Sequence, residues 1–332
     1  SWSNIEDATV KADHALVSQG VYRFIRHPIY TGDSLLLLGL QLALNSWLAV
    51  AMLAPLAVFA RRAIAEETRL AEPLLKRLRF DGSVEILMEC DEPLREVSLN
   101  VLDLAVWRCR AMKGGVFENC AFAVDPRKEE LRVALPEEAN GRTTLRIDFV
   151  GEINNKMAGF YRSTCTLDGA PGIMAVTQFE ESDARRAFPC FDHPARKAVF
   201  ELEMVIEQGL TALSNEAVLE ETLLEDGRKR VRFRETPVMS TYLLFFGVGP
   251  FEISEKPGKV LLRLAARPGM TPQGDYALDF ARKALLYCEE YYGIPYPLSK
   301  LDLIAVTDFA AGAMENWGAI TFRENLLLRD PE

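Results

Sequence analysis

The residues best suited to chemistry stand in Gly312–Glu324, which reads Gly-Ala-Met-Glu-Asn-Trp-Gly-Ala-Ile-Thr-Phe-Arg-Glu. Gly312 and Gly318 let the backbone approach a ligand closely. Glu315 and Asn316 offer a carboxylate and an amide on a short loop. The plain alternative is a turn with a solvated acid. A second charged string, Thr177–Pro194, carries Gln178 and Glu180, then Asp183, Arg185 and Arg186, which read as surface ion pairs on a crossing loop. A third group comprises Arg26, His27, Pro28 and Tyr30 within Gly20–Gly32, followed at a distance by Glu66 and Glu67. Its plain reading is a basic juxtamembrane anchor. Imidazole chemistry has only His14, His27 and His193 to draw on, and no two are four residues apart. His193 therefore reads as a hydrogen-bonded loop histidine, not a metal ligand. Six cysteines show no CxxC pair, which fits a reducing compartment better than a disulfide framework.

These residues need elements to position them. The chain has 332 residues, 49% hydrophobic and 26% charged, enough for two or three globular domains. A net charge of -10 argues against nucleic acid, whose affinity rests on neutralised phosphates. No charged residue occurs from Ser34 to Ala60, longer than the roughly 18 residues of a membrane-span candidate. Asn45-Ser46, Gly39 and Pro55 interrupt this run, and Arg23, Arg26, Arg61 and Arg62 flank it. Positive charge at both ends suits a helical hairpin returning to the cytoplasmic side, with one tilted span as the alternative.

From about Leu75 the period becomes two. Val84, Ile86 and Met88 alternate with polar residues, as do Leu145, Ile147 and Phe149, and Phe200, Leu202, Met204 and Ile206. Such alternation predicts antiparallel strands with one solvated face. Asp81-Gly82, Asn140-Gly141, Asp168-Gly169 and Asp226-Gly227 are the expected turns. Beyond Thr271-Pro272 the spacing of Ala277, Phe280, Ala281, Ala284, Leu285, Cys288 and Tyr292 predicts one inward helix face, with Tyr287, Tyr291, Tyr292 and Tyr296 as helix packing. Gly293 and Pro295 stop that helix, and Leu301–Val306 follows as a strand. The expected architecture is multidomain. A short α-helical membrane segment (1–74) leads into a mostly-β, antiparallel, saddle- or sandwich-like domain (75–254), then an α+β segment (255–332).

Gly312-Ala-Met-Glu-Asn316 resembles the exopeptidase signature of the M1 zinc aminopeptidases, nearest the tricorn-interacting class. Thr177–Pro194 resembles their N-terminal β domain, and His193 stands where that family usually has an acid. The resemblance runs over about residues 77–332 and makes the last segment the start of a thermolysin-like catalytic domain. It implies substrate binding by Gln178, Glu180, Gly312, Ala313, Met314, Glu315 and Asn316. Glu180 and Glu315 would together hold the free amino terminus of a peptide substrate, since two converging acids accept charge-assisted bonds from a terminal ammonium. It also implies zinc on a His-Glu-x-x-His helix, whose spacing occurs nowhere in residues 1–332. Residues 1–332 alone are therefore expected to lack peptidase activity and to contain no catalytic residue.

Residues 15–72 resemble isoprenylcysteine carboxyl methyltransferases and related membrane phospholipid methyltransferases. That likeness implies an S-adenosylmethionine site built from Arg26, His27, Pro28, Tyr30, Glu66 and Glu67. The expected protein is thus membrane-associated through 34–60, with the aminopeptidase-like part cytoplasmic. A methyltransferase fragment and a non-catalytic, membrane-tethered peptide-binding protein are the alternatives.

Overall fold

The structure, a computed structural model, describes residues 73–167 and 169–329. The chain divides into two compact units, residues 1–77 and 78–332. In the first, the described part is a single helical turn, α1 (Leu74–Arg77). The expected membrane segment at 34–60, and Arg26, His27, Pro28, Tyr30, Glu66 and Glu67 with it, lie outside the described residues. No helix among the described residues is long and apolar enough to cross a membrane.

The second unit is mostly β before it becomes α+β. Two of its strands are very long: β1 (Arg79–Asn100) and β5 (Glu130–Glu152). They pair antiparallel, and β2 (Leu104–Lys113), β3 (Val116–Asn119) and β4 (Phe122–Asp125) complete a five-stranded sheet. Val97, Leu99, Leu131, Val133, Leu145 and Ile147 form its buried face, with Val84, Ile86 and Met88 half-buried at the far end. Two expected turns are corrected here. Asp81-Gly82 lies within β1, opposite Val150 and Phe149, and Asn140-Gly141 lies within β5. A Cβ on Gly82 would stand 2.4 Å from the Phe149 ring, so this glycine makes room for an aromatic and does not reverse the chain.

A four-stranded sheet follows, with β6 (Gly159–Leu167), β7 (Ala170–Gln178), β12 (Phe246–Gly249) and β9 (Thr211–Ser214) in that order. A three-stranded sheet contains β8 (Glu203–Glu207), β10 (Val218–Leu223) and β11 (Arg228–Phe233). Asp226-Gly227 does turn between β10 and β11, with Gly227 at φ 81° and the Arg228 N–H bonded to the Asp226 carboxylate. All pairings among β1–β12 are antiparallel, as the solvated alternate faces predict. Edge-to-face contacts link Phe80 to Phe160, and Phe246 continues the run to Phe179 and Phe188, joining the first sheet to the second.

The last part is a mixed five-stranded sheet: β13 (Glu252–Lys256), β14 (Leu261–Ala266), β15 (Lys300–Val306), β17 (Ala319–Arg323) and β16 (Ala313–Met314). β14, β15 and β17 are parallel, and helix α2 (Asp275–Tyr292) provides the crossover between β14 and β15. A second helical turn, α3 (Glu324–Leu327), follows β17. Gly293, in the left-handed region at φ 66°, closes α2 as expected. Every residue of β15 is buried, the mark of a central parallel strand. The inward face of α2 is narrower than its apolar spacing predicts. Leu278 is buried and Ala277, Ala281 and Leu285 pack on the sheet, while Phe280, Cys288, Tyr287, Tyr291 and Tyr292 are exposed. A single sheet face can cover only one stripe of the helix.

Candidate functional site

Gly312–Arg323 folds as a small hairpin. β16 pairs antiparallel with β17 through Ala313 and Met314, and the Arg323 N–H bonds to the Gly312 carbonyl. Glu315–Gly318 makes the bend between them. Met314 and Asn316 point inward, 1% and 2% exposed, while Glu315 and Trp317 face solvent. Asn316 braces the bend: its carbonyl accepts the Ala319 N–H, and its amide lies 3.4 Å from the Thr321 hydroxyl. Gly312 and Ala313 are exposed, and a Cβ on Gly312 would meet only the end of the Leu326 side chain. Gly318 is the constrained glycine, at φ 72° with the Asn215 carbonyl 2.2 Å from where a Cβ would be.

The hairpin is anchored to the β domain on both sides. Ahead of it, the Asp308 carboxylate accepts bonds from the Thr164 N–H and hydroxyl, both at 2.7 Å. The Tyr161 hydroxyl donates to the Asp308 carbonyl, and the Asp308 N–H donates to the Ser163 hydroxyl. Behind it, Asn215 donates to the carbonyls of Trp317 and Leu243 and accepts the Phe245 N–H, each at 2.8 Å. The Lys300 ammonium bonds to the carbonyls of Ser214 (2.6 Å) and Gly318 (2.7 Å) and to Asp302 (2.7 Å). Asp302 is fully buried and also takes a two-pronged bond from Arg263, at 2.7 and 2.6 Å. Asn215 and Lys300 carry this anchorage and the motifs gave no hint of them. Their only trace in the sequence is a polar Ser214-Asn215-Glu216 after an apolar strand, and a lysine opening a mostly apolar strand.

Gln178 ends β7. Continuing the antiparallel register past Val176–Gly247 and Phe246–Ser214 sets Gln178, Phe245 and Asn215 in one row. Two strand spacings separate the ends of that row, about 10 Å. Glu180 therefore leaves the same end of the sheet at which Asn215 holds the Glu315 bend. Glu180 and Glu315 are both exposed, and neither has a hydrogen-bond or ion-pair partner among the described residues. The Gln178 Oε1 is buried and lacks a hydrogen-bond partner among them. Such an atom costs free energy unless a ligand satisfies it. Two unpaired carboxylates and an unsatisfied amide acceptor can take the three N–H bonds of an ammonium group.

The neighbouring charges are spent on structure. Arg186 pairs with Asp183 at 2.7 Å and with Asp103, while Arg185 pairs with Glu129 at 2.8 Å and with buried Asp192 at 3.0 Å. The expected surface pairs are thus partly buried struts that brace the loop after Glu180. A depression of about 550 Å³ on the three-stranded sheet is lined by Glu203, Glu220, Arg230 and Arg232, whose charges satisfy one another.

Zinc, implied by the sequence resemblance, needs about four nitrogen, sulfur or carboxylate donors. The described residues contain no group of three or more such side chains placed to hold a metal. Their one histidine, His193, is an exposed loop residue whose Nδ1 accepts the Ala195 N–H, as its isolation predicts. The described residues do not fit a zinc ion, and what they can do is bind and orient.

Comparison with known proteins agrees with the two motifs. Residues 69–243 match the Peptidase M1 N-terminal domain, and residues 276–332 match the Peptidase family M1 domain. Residues 4–76 match the phospholipid methyltransferase family. The chain is 41% identical over 276 residues to Aminopeptidase M1-A of Oryza sativa subsp. japonica, a match covering 78% of this chain and 30% of that protein. It is 40% identical over 266 residues to the puromycin-sensitive aminopeptidase of Caenorhabditis elegans, covering 78% and 28%. It is 39% identical over 269 residues to the mitochondrial Aminopeptidase 2 of Saccharomyces cerevisiae, covering 79% and 28%. The chain spans about three tenths of the length of these curated relatives. With the N-terminal-domain match alone running over more than half of its residues, the chain belongs to peptidase family M1.

Proposed function

We propose that this chain corresponds to the N-terminal part of a zinc aminopeptidase that removes amino acids from the free amino terminus of peptides. Its own share of that work is recognition of the terminal ammonium. The observation that carries the reading is the pair of unpartnered carboxylates in the two segments that bear the family motifs: Glu180 leaves the end of the four-stranded sheet at which Asn215 holds the Glu315 bend. In this reading each carboxylate accepts one N–H of the ammonium and Gln178 Oε1 accepts the third. Gly312, Ala313, Met314 and Asn316 shape the hairpin that presents Glu315. An internal peptide nitrogen has one N–H and no charge, so it is rejected. The bonds fix how far the chain enters and which peptide bond lies next to the reacting group. Zinc would supply hydrolysis through donors that the described residues do not hold. In domain terms, residues 75–254 form the β domain and 255–332 open the catalytic domain.

The test is binding of Leu-Gly-Gly and of N-acetyl-Leu-Gly-Gly by calorimetry. The free amine should bind and the acetylated peptide should not, and Glu315→Gln or Glu180→Gln should each weaken the free peptide by about 10- to 100-fold. Equal binding of the two peptides defeats the reading.

The phospholipid methyltransferase match supports a separate reading of residues 1–74, a membrane-associated segment with an S-adenosylmethionine site at Arg26, His27, Pro28, Tyr30, Glu66 and Glu67. It would place the peptidase-like part at the cytoplasmic face. Loss of the protein from washed membranes at high pH, or indifference to S-adenosylmethionine in a thermal-shift assay, counts against each half of it.

A further inference from the structure

We propose that Lys300 is the positioning residue for the Glu315 bend: its ammonium bonds at once to the carbonyls of Ser214 and Gly318 and to the Asp302 carboxylate, and loss of its proton releases the bend. The proposal goes deeper into the amine-recognition reading above, which supplies its functional meaning.

The argument begins with donor count. Lys300 is 1% exposed, and its Nζ has three acceptors at 2.6–2.7 Å. An ammonium has three protons, one for each acceptor, whereas a neutral amine has two protons and a lone pair. After deprotonation one acceptor must face that lone pair in a site closed to water. Asp302 is the least able to move, because Arg263 holds it with two bonds and it sits in the fully buried strand β15. The strain therefore falls on the bonds to Ser214 and Gly318. Those two carbonyls belong to the end of β9 and to the last residue of the Glu315 bend, so Lys300 ties the bend to the β domain. Asn215 supplies the adjacent tie, to Trp317.

The charges facing Lys300 come from every side. Asp302 lies on its own strand, Arg263 on β14, Glu216 after β9, and Tyr296 in the loop after α2, where its hydroxyl donates to the Lys300 carbonyl at 3.3 Å. Burial pulls the Lys300 ammonium down to about 8, against the opposing pull of Asp302. Burial likewise raises the Glu216 carboxyl, opposed by the Ala217 N–H, Lys300 and Arg234, and it raises the Tyr296 hydroxyl together with Asp302 and Glu216. Lys300 is the group in this cluster that changes charge under mildly alkaline conditions.

Ligand affinity cannot report this step, because a peptide amino terminus itself titrates at about 7.7–8.0. The reporter is Trp317, 40% exposed and two residues from Glu315. The protein is labelled with 5-fluorotryptophan, and its Trp317 fluorine resonance is identified by Trp317→Phe. It is then followed without ligand from about pH 7 to 9.5, across the titration expected for Lys300. The resonance should shift with one midpoint near 8 in the wild type. In Lys300→Met it should stay at the alkaline position throughout, and in Lys300→Arg, which keeps its charge, it should not titrate. A wild-type resonance that stays fixed over this range, or one that moves identically in Lys300→Met, overturns the proposal. Absence of Leu-Gly-Gly binding at neutral pH would instead remove the amine-recognition reading and leave the Lys300 result standing.

Discussion

Asn215 reaches across 102 positions of sequence to donate a 2.8 Å hydrogen bond to the carbonyl of Trp317. It is 1% exposed and makes two further bonds, to Leu243 and Phe245, so one side chain closes three backbone gaps at the base of the bend. Asn215→Ala leaves those groups buried without partners and should cost about 2–4 kcal/mol. Asn215→Asp should cost at least as much at neutral pH, because a carboxylate would face two carbonyl oxygens. The check is the urea midpoint at unchanged slope, and a loss under about 1 kcal/mol for either variant contradicts the assignment.

Gly318 combines a left-handed backbone with a closed space. Gly318→Ala would drive a Cβ to 2.2 Å from the Asn215 carbonyl, whereas Gly227, at φ 81°, has nothing within 4 Å. Gly227→Ala should therefore cost only backbone strain, about 1 kcal/mol, and Gly318→Ala about 3 kcal/mol or more. Thermal melts of the pair separate crowding from strain. Equal losses would mean that the bend moves aside freely.

Gln178 carries a buried acceptor without a partner among the described residues. Gln178→Met keeps the length and removes that acceptor, so stability should hold or rise by about 1 kcal/mol while affinity for Leu-Gly-Gly falls. A variant that loses stability and keeps affinity would show that the amide serves the fold alone.

Lys300 also leaves a mark on global stability. Its proton is released near 8 in the folded chain and at the usual 10.5 in the unfolded chain. Between those values the unfolded chain binds more protons, so this group raises stability as pH rises. The gain is complete above about 10.5 and is lost as pH falls through about 8. The melting temperature of the wild type minus that of Lys300→Met should thus grow from about pH 7.5 to 10. A difference that is flat or shrinks would refute the burial of the charge. The same ionisation that frees the bend relieves the interior.

Much of this architecture is legible in the sequence. Alternation located the strands of the first sheet, and the stop at Gly293 and the strand at Leu301–Val306 both hold. The motif residues Gln178 and Glu180 fall at one strand end, and Gly312–Asn316 falls in one hairpin. Local signals failed where tertiary packing decides. Gly82 reads as a turn because glycine allows one, yet here it yields space to Phe149. The helix pattern around Phe280 and Cys288 counts apolar residues but cannot say how wide a stripe the sheet covers. Asn215 and Lys300 escaped notice because a lone polar residue carries no period. Their importance comes from carbonyls supplied by distant segments.

Asp308 and Tyr161 lie 147 positions apart, Asn215 and Trp317 lie 102 apart, and Lys300 and Ser214 lie 86 apart. Closing loops of that length costs entropy before any contact repays it, so such pairings form slowly. On a ribosome the strands that receive the hairpin emerge well before the hairpin itself. Glu315 should thus reach its place only on a β domain already folded. A chain whose first sheets had misfolded would offer the hairpin no seat, which makes the geometry of the bend a built-in check on everything synthesised before it.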